Sequence, residues 1–245
     1  MTESIHSFYK AENTHPGFSV DCVILSFHEG KLKILLNTFY LREYWSLPGG
    51  FMLNEEDADQ AAYRILKSRT GLSDLFLRQF YLFSNPKRTI LEQNQRYITQ
   101  NQLDEENSQW LLRRFVTLGY YAAVRYEEVK LPQIEGERAQ WYEIDNLPEL
   151  YSDHRYIIHK SLELIRNMLP VYPIAYNLLP EKFTMSELRK VYESFSGKTL
   201  DRRNFQRKIL SEGSVIQLKE TKSDKAYNAP ILYTFNLNKK DIFDI

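Results

Sequence analysis

The chain has 245 residues, 43% of them apolar and 26% charged, with 32 basic and 32 acidic side chains. Those proportions are ordinary for a soluble globular protein of one large or two modest domains. The single cysteine, Cys22, excludes a disulfide or a cysteine-based zinc site within one chain. No apolar run reaches membrane-spanning length, and Met1-Thr2-Glu3 opens neither a basic region nor an apolar core, so no membrane partner and a cytoplasmic location are expected.

Net charge is zero overall but unevenly placed. Residues 170–245 carry 13 Lys and Arg against 9 Asp and Glu, a surplus of +4, which leaves 19 against 23, or −4, before them. A basic end behind an acidic beginning hints at a nucleic-acid partner for the end.

Residues 1–16 read as a polar lead-in. Phe18 to Phe27 is an apolar, β-branched strand that buries Cys22. His28-Glu29-Gly30-Lys31 predicts a hairpin turn, and Leu32 to Phe39 the returning strand. Trp45-Ser46-Leu47-Pro48 leads to Gly49-Gly50, expected to make a tight strand-to-helix turn. The helix that follows has Asn54 as its expected N-cap and Gly71 as its left-handed C-cap. Ala58, Ala61, Ala62, Ile65 and Leu66 form its apolar stripe. Leu75 to Phe83 predicts another strand, and Glu92 to Gln109 an inserted loop or short helix. Phe115 to Tyr126 and Ala139 to Ile144 predict two more strands, the second containing Trp141. A helix from Asp153 to Met168 carries Ile157, Ile158, Leu162 and Ile165 on one side. His154 and His159 lie five apart, poor geometry for two ligands on one helix face, and both read as structural or surface residues.

Gly50, Glu56, Arg64, Leu66, Gly71 and Leu72 stand at the spacing of the Nudix box, and the stretch resembles that motif. The resemblance implies divalent cations held on glutamates, but the remaining glutamate positions hold Ile65, Ser68 and Arg69. Ile65 offers no oxygen, Ser68 a neutral hydroxyl, and Arg69 a charge that repels a metal, so neither catalytic metal nor other cofactor is expected. Glu55, Glu56, Asp57 and Asp59 suit the helix dipole without any metal.

Pro170, Pro173 and Pro180 mark a boundary near 170. A short helix is expected within Tyr172 to Leu179. Thr184 and Glu187 form a capping box for a helix whose buried face is Leu188, Val191, Tyr192 and Phe195, closed by Gly197. A second helix starts at Asp201. With Phe205 and Ile209 inward, Arg203 and Arg207 point outward, beside Asn204 and Lys208. Val215 to Leu218 and Ile231 to Phe235 predict two strands around a polar, lysine-containing wing. Helix, turn, basic helix, hairpin is the order of a winged helix-turn-helix.

A degenerate Nudix box ahead of this tail resembles the Nudix-related transcription regulators. Tail matches are Asn177-Leu178-Leu179-Pro180, Phe183-Thr184, Leu188, Val191-Tyr192-Glu193, Gly197 and Asp201-Arg202-Arg203-Asn204-Phe205. The resemblance implies an α+β chain: a Nudix-like α/β/α sandwich over 1–169 that senses a sugar or an ADP-ribose-like metabolite, then a winged helix over 170–245. It further implies a homodimer on a double-stranded operator. Arg202, Arg203, Asn204, Arg207, Lys208, Lys222 and Lys225 are the candidate DNA contacts. Trp45, Phe51, Arg64, Tyr120 and Arg125 are the candidate effector contacts, although Trp45 and Phe51 also suit a core and Arg64 could simply bridge Glu56 or Asp59. A nucleotide diphosphate hydrolase with non-standard metal ligands and a protein-interaction module are the competing readings.

Overall fold

The computed structural model describes residues 14–39, 44–71, 77–103, 108–131, 133, 136–169, 174–222 and 229–236. Two compact units emerge, residues 1–26 with 33–164, and residues 27–32 with 165–245.

The apolar run near residue 20 forms strand β1 (Thr14–His28), which takes in part of the expected lead-in and lies in the first unit up to Ser26. It turns at Glu29 and Gly30, both at positive φ, the two-residue hairpin geometry, into β2 (Lys31–Phe39). The remaining strands are β3 (Gly49–Leu53), β4 (Leu77–Phe83), β5 (Val116–Ala123) and β6 (Glu137–Glu143). The sheet runs β4-β5-β1-β2-β6, with β3 also paired to β1. β1 and β5 are parallel, Phe18 opposite Val116 through Leu25 opposite Ala123.

Strand alternation sorts the two faces. Val20, Cys22 and Ile24 of β1, Leu35 of β2, and Tyr120 and Ala122 of β5 point to one side, where Ala61, Ala62, Ile65 and Leu66 of helix α1 (Ala58–Thr70) meet them. Ile65 and Leu66 alone contribute about 3–6 kcal/mol of hydrophobic burial. Asp21, Val23 and Leu25 point to the other side, where Asp21 meets His154 at the start of helix α3 (His154–Met168). The expected insertion, Glu92 to Gln109, coincides over its first half with helix α2 (Leu91–Gln100) and runs into a 3-10 turn over Gln109–Leu112; residues 104–107 lie outside the described set.

Two expectations need correction. Asp57, not Asn54, caps α1: its carboxylate accepts from the Gln60 amide while the Gln60 side chain accepts from the Asp57 amide. Asparagine sits too early, because the chain makes a turn at Asn54-Glu55 before the helix starts. Gly49 and Gly50 are strand residues, not a turn. Gly49 is needed for close approach instead: a Cβ there would meet the Asp21 carboxylate and lie 2.9 Å from the Val20 carbonyl oxygen. The strand expected from Leu75 is described from Leu77, and the one expected to reach Tyr126 ends at Ala123, followed by a 3-10 turn over Tyr126–Glu128.

The second unit carries α4 (Ala175–Leu178), β7 (Phe183–Thr184), α5 (Met185–Ser196), α6 (Arg202–Glu212), β8 (Val215–Thr221) and β9 (Ile231–Phe235). The Thr184/Glu187 capping box and the Asp201 N-cap form as read from the sequence, Gly197 closes α5 as expected, and both it and Gly213 at the end of α6 are left-handed caps. What the sequence did not disclose is β7. Two residues before α5 pair with β9 and make the wing sheet three-stranded, β7-β9-β8. Phe183, fully buried, stacks on Phe235 with ring centroids 4.5 Å apart. Leu188, Val191 and Phe195 complete this core, while Tyr192 is only half-buried and packs edge-on against Phe205 at 5.2 Å. Pro170 and Pro173 lie outside the described residues.

Candidate functional site

The box helix presents its motif residues to the protein rather than to an ion. Glu56 uses both carboxylate oxygens internally. One accepts from the Leu53 amide at 2.8 Å and the other from Arg64 Nε at 2.9 Å, while Arg64 Nη2 reaches the first and the Phe51 carbonyl. Burial works to raise the Glu56 pKa, but the bonds from Arg64 and Leu53 outweigh it and hold the carboxyl below its usual value. Of the family's glutamate positions, Ile65 is buried in the core and Ser68 bonds the Ile65 carbonyl. Arg69 is 4% exposed and pairs with the 3%-exposed side chain of Glu137 on β6. These residues do not fit a catalytic divalent cation. The one matching glutamate is held by arginine, and an arginine–glutamate pair occupies the helix end where the pattern calls for carboxylates. Among the described residues no three His, Cys, Asp or Glu side chains are arranged to hold a metal. Leu72 lies outside the described set.

The five effector candidates do not form one pocket. Arg64 and the backbone of Phe51 meet around Glu56, and the Phe51 ring lies 5.0 Å from Phe115. Tyr120, 1% exposed, donates to Asp59 at the start of α1; burial first, and that bond second, push its phenol pKa up. Trp45 is elsewhere. Its ring lies edge-on to Tyr142 at 4.9 Å, with the Arg138 guanidinium 5.9 Å from its centroid. On β6, Tyr142 alternates with Trp141, which packs on the α1 side, so Trp45 belongs to the opposite face. Arg125 pairs with Glu128 in the turn after β5.

A buried polar cluster on that opposite face escaped sequence reasoning. Asp21, 7% exposed, is approached by Arg88 Nη2 and His154 Nε2, each at 3.8 Å, and by the Thr117 hydroxyl. Arg88 also forks onto Asp153 at 2.9 and 3.0 Å, and His154 Nδ1 accepts from the Leu47 amide at 2.8 Å. Burial pushes the Asp21 pKa up to about 6, against the pull of Arg88 and Thr117. An aspartate inside an apolar run, Val20 to Leu25, was the available signal.

On the winged helix, Phe205 and Ile209 are buried while Arg202, Arg203, Asn204, Arg207 and Lys208 are exposed, so α6 turns its basic face outward as expected. Arg207 donates to the Asn204 side chain at 2.8 Å, and Lys208 lies 3.8 Å from Glu212. Lys222, at the end of β8, binds the free side of the capping glutamate Glu187, whose other oxygen accepts from the Thr184 amide and hydroxyl. Lys225 lies outside the described residues.

No described helix is long and apolar enough to cross a membrane. Two family models match the chain: the NUDIX domain over residues 15–161, and the NrtR DNA-binding winged helix domain over residues 175–235. The chain is 26% identical over 241 residues to the ADPR responsive transcriptional repressor NtrR of Acinetobacter baylyi, covering 96% of this chain and 88% of that one. Its fold is similar to that of Shewanella oneidensis NrtR complexed with a 27mer DNA (TM-score 0.67, 22% identity, 89% of this chain and 93% of that one). A MutT/nudix family protein from Enterococcus faecalis is alike to a similar degree (TM-score 0.65, 21% identity, 91% and 88%). With the NUDIX model over residues 15–161 and the NrtR DNA-binding winged helix model over residues 175–235, the chain belongs to the Nudix family and carries behind its Nudix domain an NrtR-type DNA-binding winged helix domain whose second helix turns a basic face outward.

Proposed function

We propose that this chain is a transcriptional repressor that binds its operator through α6 and the wing, and that an ADP-ribose-like metabolite bound by the Nudix domain changes operator affinity. The observation that carries the reading is the outward face of α6, with Arg203 and Arg207 one helical turn apart and opposite the buried Phe205 and Ile209. Arginines so placed can fork onto guanine edges or grip phosphates. An ADP-ribose-like effector is favoured over a sugar by the full-length likeness to a repressor described as ADPR responsive. Arg64 and Phe51 around Glu56 are the effector contacts preferred here, with Tyr120, Trp45 and Arg125 as further candidates. One winged helix covers a short half-site, so a homodimer on a near-palindromic operator, in the cytoplasm, completes the reading.

The test is a duplex titration at several salt concentrations, with ADP-ribose, sugars and sugar phosphates added in turn. Arg203→Ala is expected to cost ~1–3 kcal/mol on the operator and to relax preference at one base position. If Arg203→Ala and Arg207→Ala both leave operator affinity and salt slope unchanged, α6 is not the reader. Loss of nucleotide-diphosphate turnover with Mg²⁺ on Glu56→Gln would instead favour the hydrolase.

A further inference from the structure

Glu193 belongs to the tail match but has no role in the reading so far. It lies on α5 one turn after Arg189, and the two side chains pair at 3.3 Å. Both also reach across to one residue of the turn that follows. Glu193 Oε1 accepts from the Leu200 amide at 2.8 Å, and Arg189 Nη1 donates to the Leu200 carbonyl at 2.9 Å. A single ion pair thus holds both backbone polar groups of Leu200. The next residue, Asp201, is the N-cap of α6 and accepts from the Asn204 amide at 2.8 Å. Arg202, Arg203 and Asn204 follow at once.

We propose that Arg189 and Glu193 act as a positioning clamp that sets the direction in which α6 leaves the turn, and thereby its base preference. Gly197 closes α5 at φ +65° with its amide on the Glu193 carbonyl, and the Ser196 hydroxyl bonds Lys198, so the early part of the turn is held locally while Leu200 is held by the ion pair. Without the clamp the helix start can swing on the rest of the turn, 199–201. Bidentate contacts to base edges tolerate little misalignment, whereas phosphate contacts survive it. The clamp therefore bears on preference among sequences more than on affinity for DNA at large.

The proposal rests on DNA binding by α6, so the test begins with the unmodified protein. A randomised duplex pool is enriched on the full-length wild type, and the winning duplex and its scramble are titrated. Glu193→Ala is expected to lower the ratio of the two affinities roughly ten- to a hundredfold, the range spanned by losing one good base contact. Its salt slope should stay unchanged, because no cation is lost. Glu193→Gln, whose carboxamide oxygen still accepts from Leu200, should keep most of the ratio. Arg189→Lys keeps a charge but not the planar fork and should lose it. Melting curves report whether each variant is folded, and if Glu193→Ala is not, Arg189→Lys decides. A folded variant that keeps the ratio, or that weakens both duplexes alike, overturns the clamp while leaving DNA binding intact. A wild type that enriches no duplex overturns the regulator reading and the clamp together.

Discussion

Replacing Arg69 with glutamate would restore one carboxylate of the Nudix pattern, and the structure argues that it would break the domain rather than revive chemistry. Arg69 and Glu137 are 4% and 3% exposed and face each other. Removing one partner of such a pair costs about 3–5 kcal/mol, because the other charge stays buried and uncompensated. A second carboxylate adds repulsion of about 4 kcal/mol at ~4 Å and an effective dielectric of about 20. Protonation of one acid caps the total, so a loss of roughly 4–6 kcal/mol is expected, comparable with the ~5–15 kcal/mol that holds a whole domain. Urea titration followed by tryptophan fluorescence reads this loss. The double variant Arg69→Met, Glu137→Leu should lie near the wild type or above it, since apolar replacement of both partners is often neutral or stabilising. The reasoning is refuted if Arg69→Glu loses less than ~1 kcal/mol, or if it gains Mg²⁺-dependent turnover.

Two further outcomes follow from the other face of the sheet. Asp21 has its pKa raised to about 6 in the fold, so the protonated form is the one the fold prefers. Its contribution is therefore fully present below the unfolded value near 3.8 and is lost as pH rises through about 6, a fall of about 3 kcal/mol by linkage. Asp21→Asn should remove that slope, read as the difference between wild-type and variant urea midpoints from pH 4 to 7; parallel curves would contradict it. Gly49→Ala should destabilise by ~1–3 kcal/mol through overpacking against the Val20 carbonyl and Asp21, and an unchanged melting temperature would show that the strand can yield.

Most of the fold was legible because its signals are local. The α1 stripe, the Gly71 and Gly197 caps, the Thr184/Glu187 box and the Asp201 cap each need only a few neighbouring residues, and each forms. Two misreadings share a cause. Asn54 and Gly49 have the right residue types for a cap and a turn, but the chain turns at Asn54-Glu55 itself, and tertiary contacts put Gly49 into a strand beside Asp21. β7 was missed because two residues carry no periodicity; they are a strand only by virtue of β9. In the candidate site, the Arg64–Glu56 bridge was legible as i, i+8 on the motif. The Arg69–Glu137 pair and the Asp21–Arg88–Asp153–His154 cluster join residues more than 60 positions apart, which spacing along the chain does not reveal.

The bond from Lys222 to Glu187 has a consequence for how this protein would sense salt. The lysine already carries a resident anion, the carboxylate that caps α5. On reaching DNA it would exchange that anion for a phosphate. Glu187 would keep both bonds from Thr184 on its other oxygen, so the helix cap survives the exchange and the released oxygen turns to water. A lysine with a carboxylate beside it presents a near-neutral pair to the duplex and so displaces less of its condensed cation cloud than a bare lysine does. The wing would then grip the duplex with a weaker dependence on salt than its lysine content suggests, and α6 would carry the larger share of that dependence.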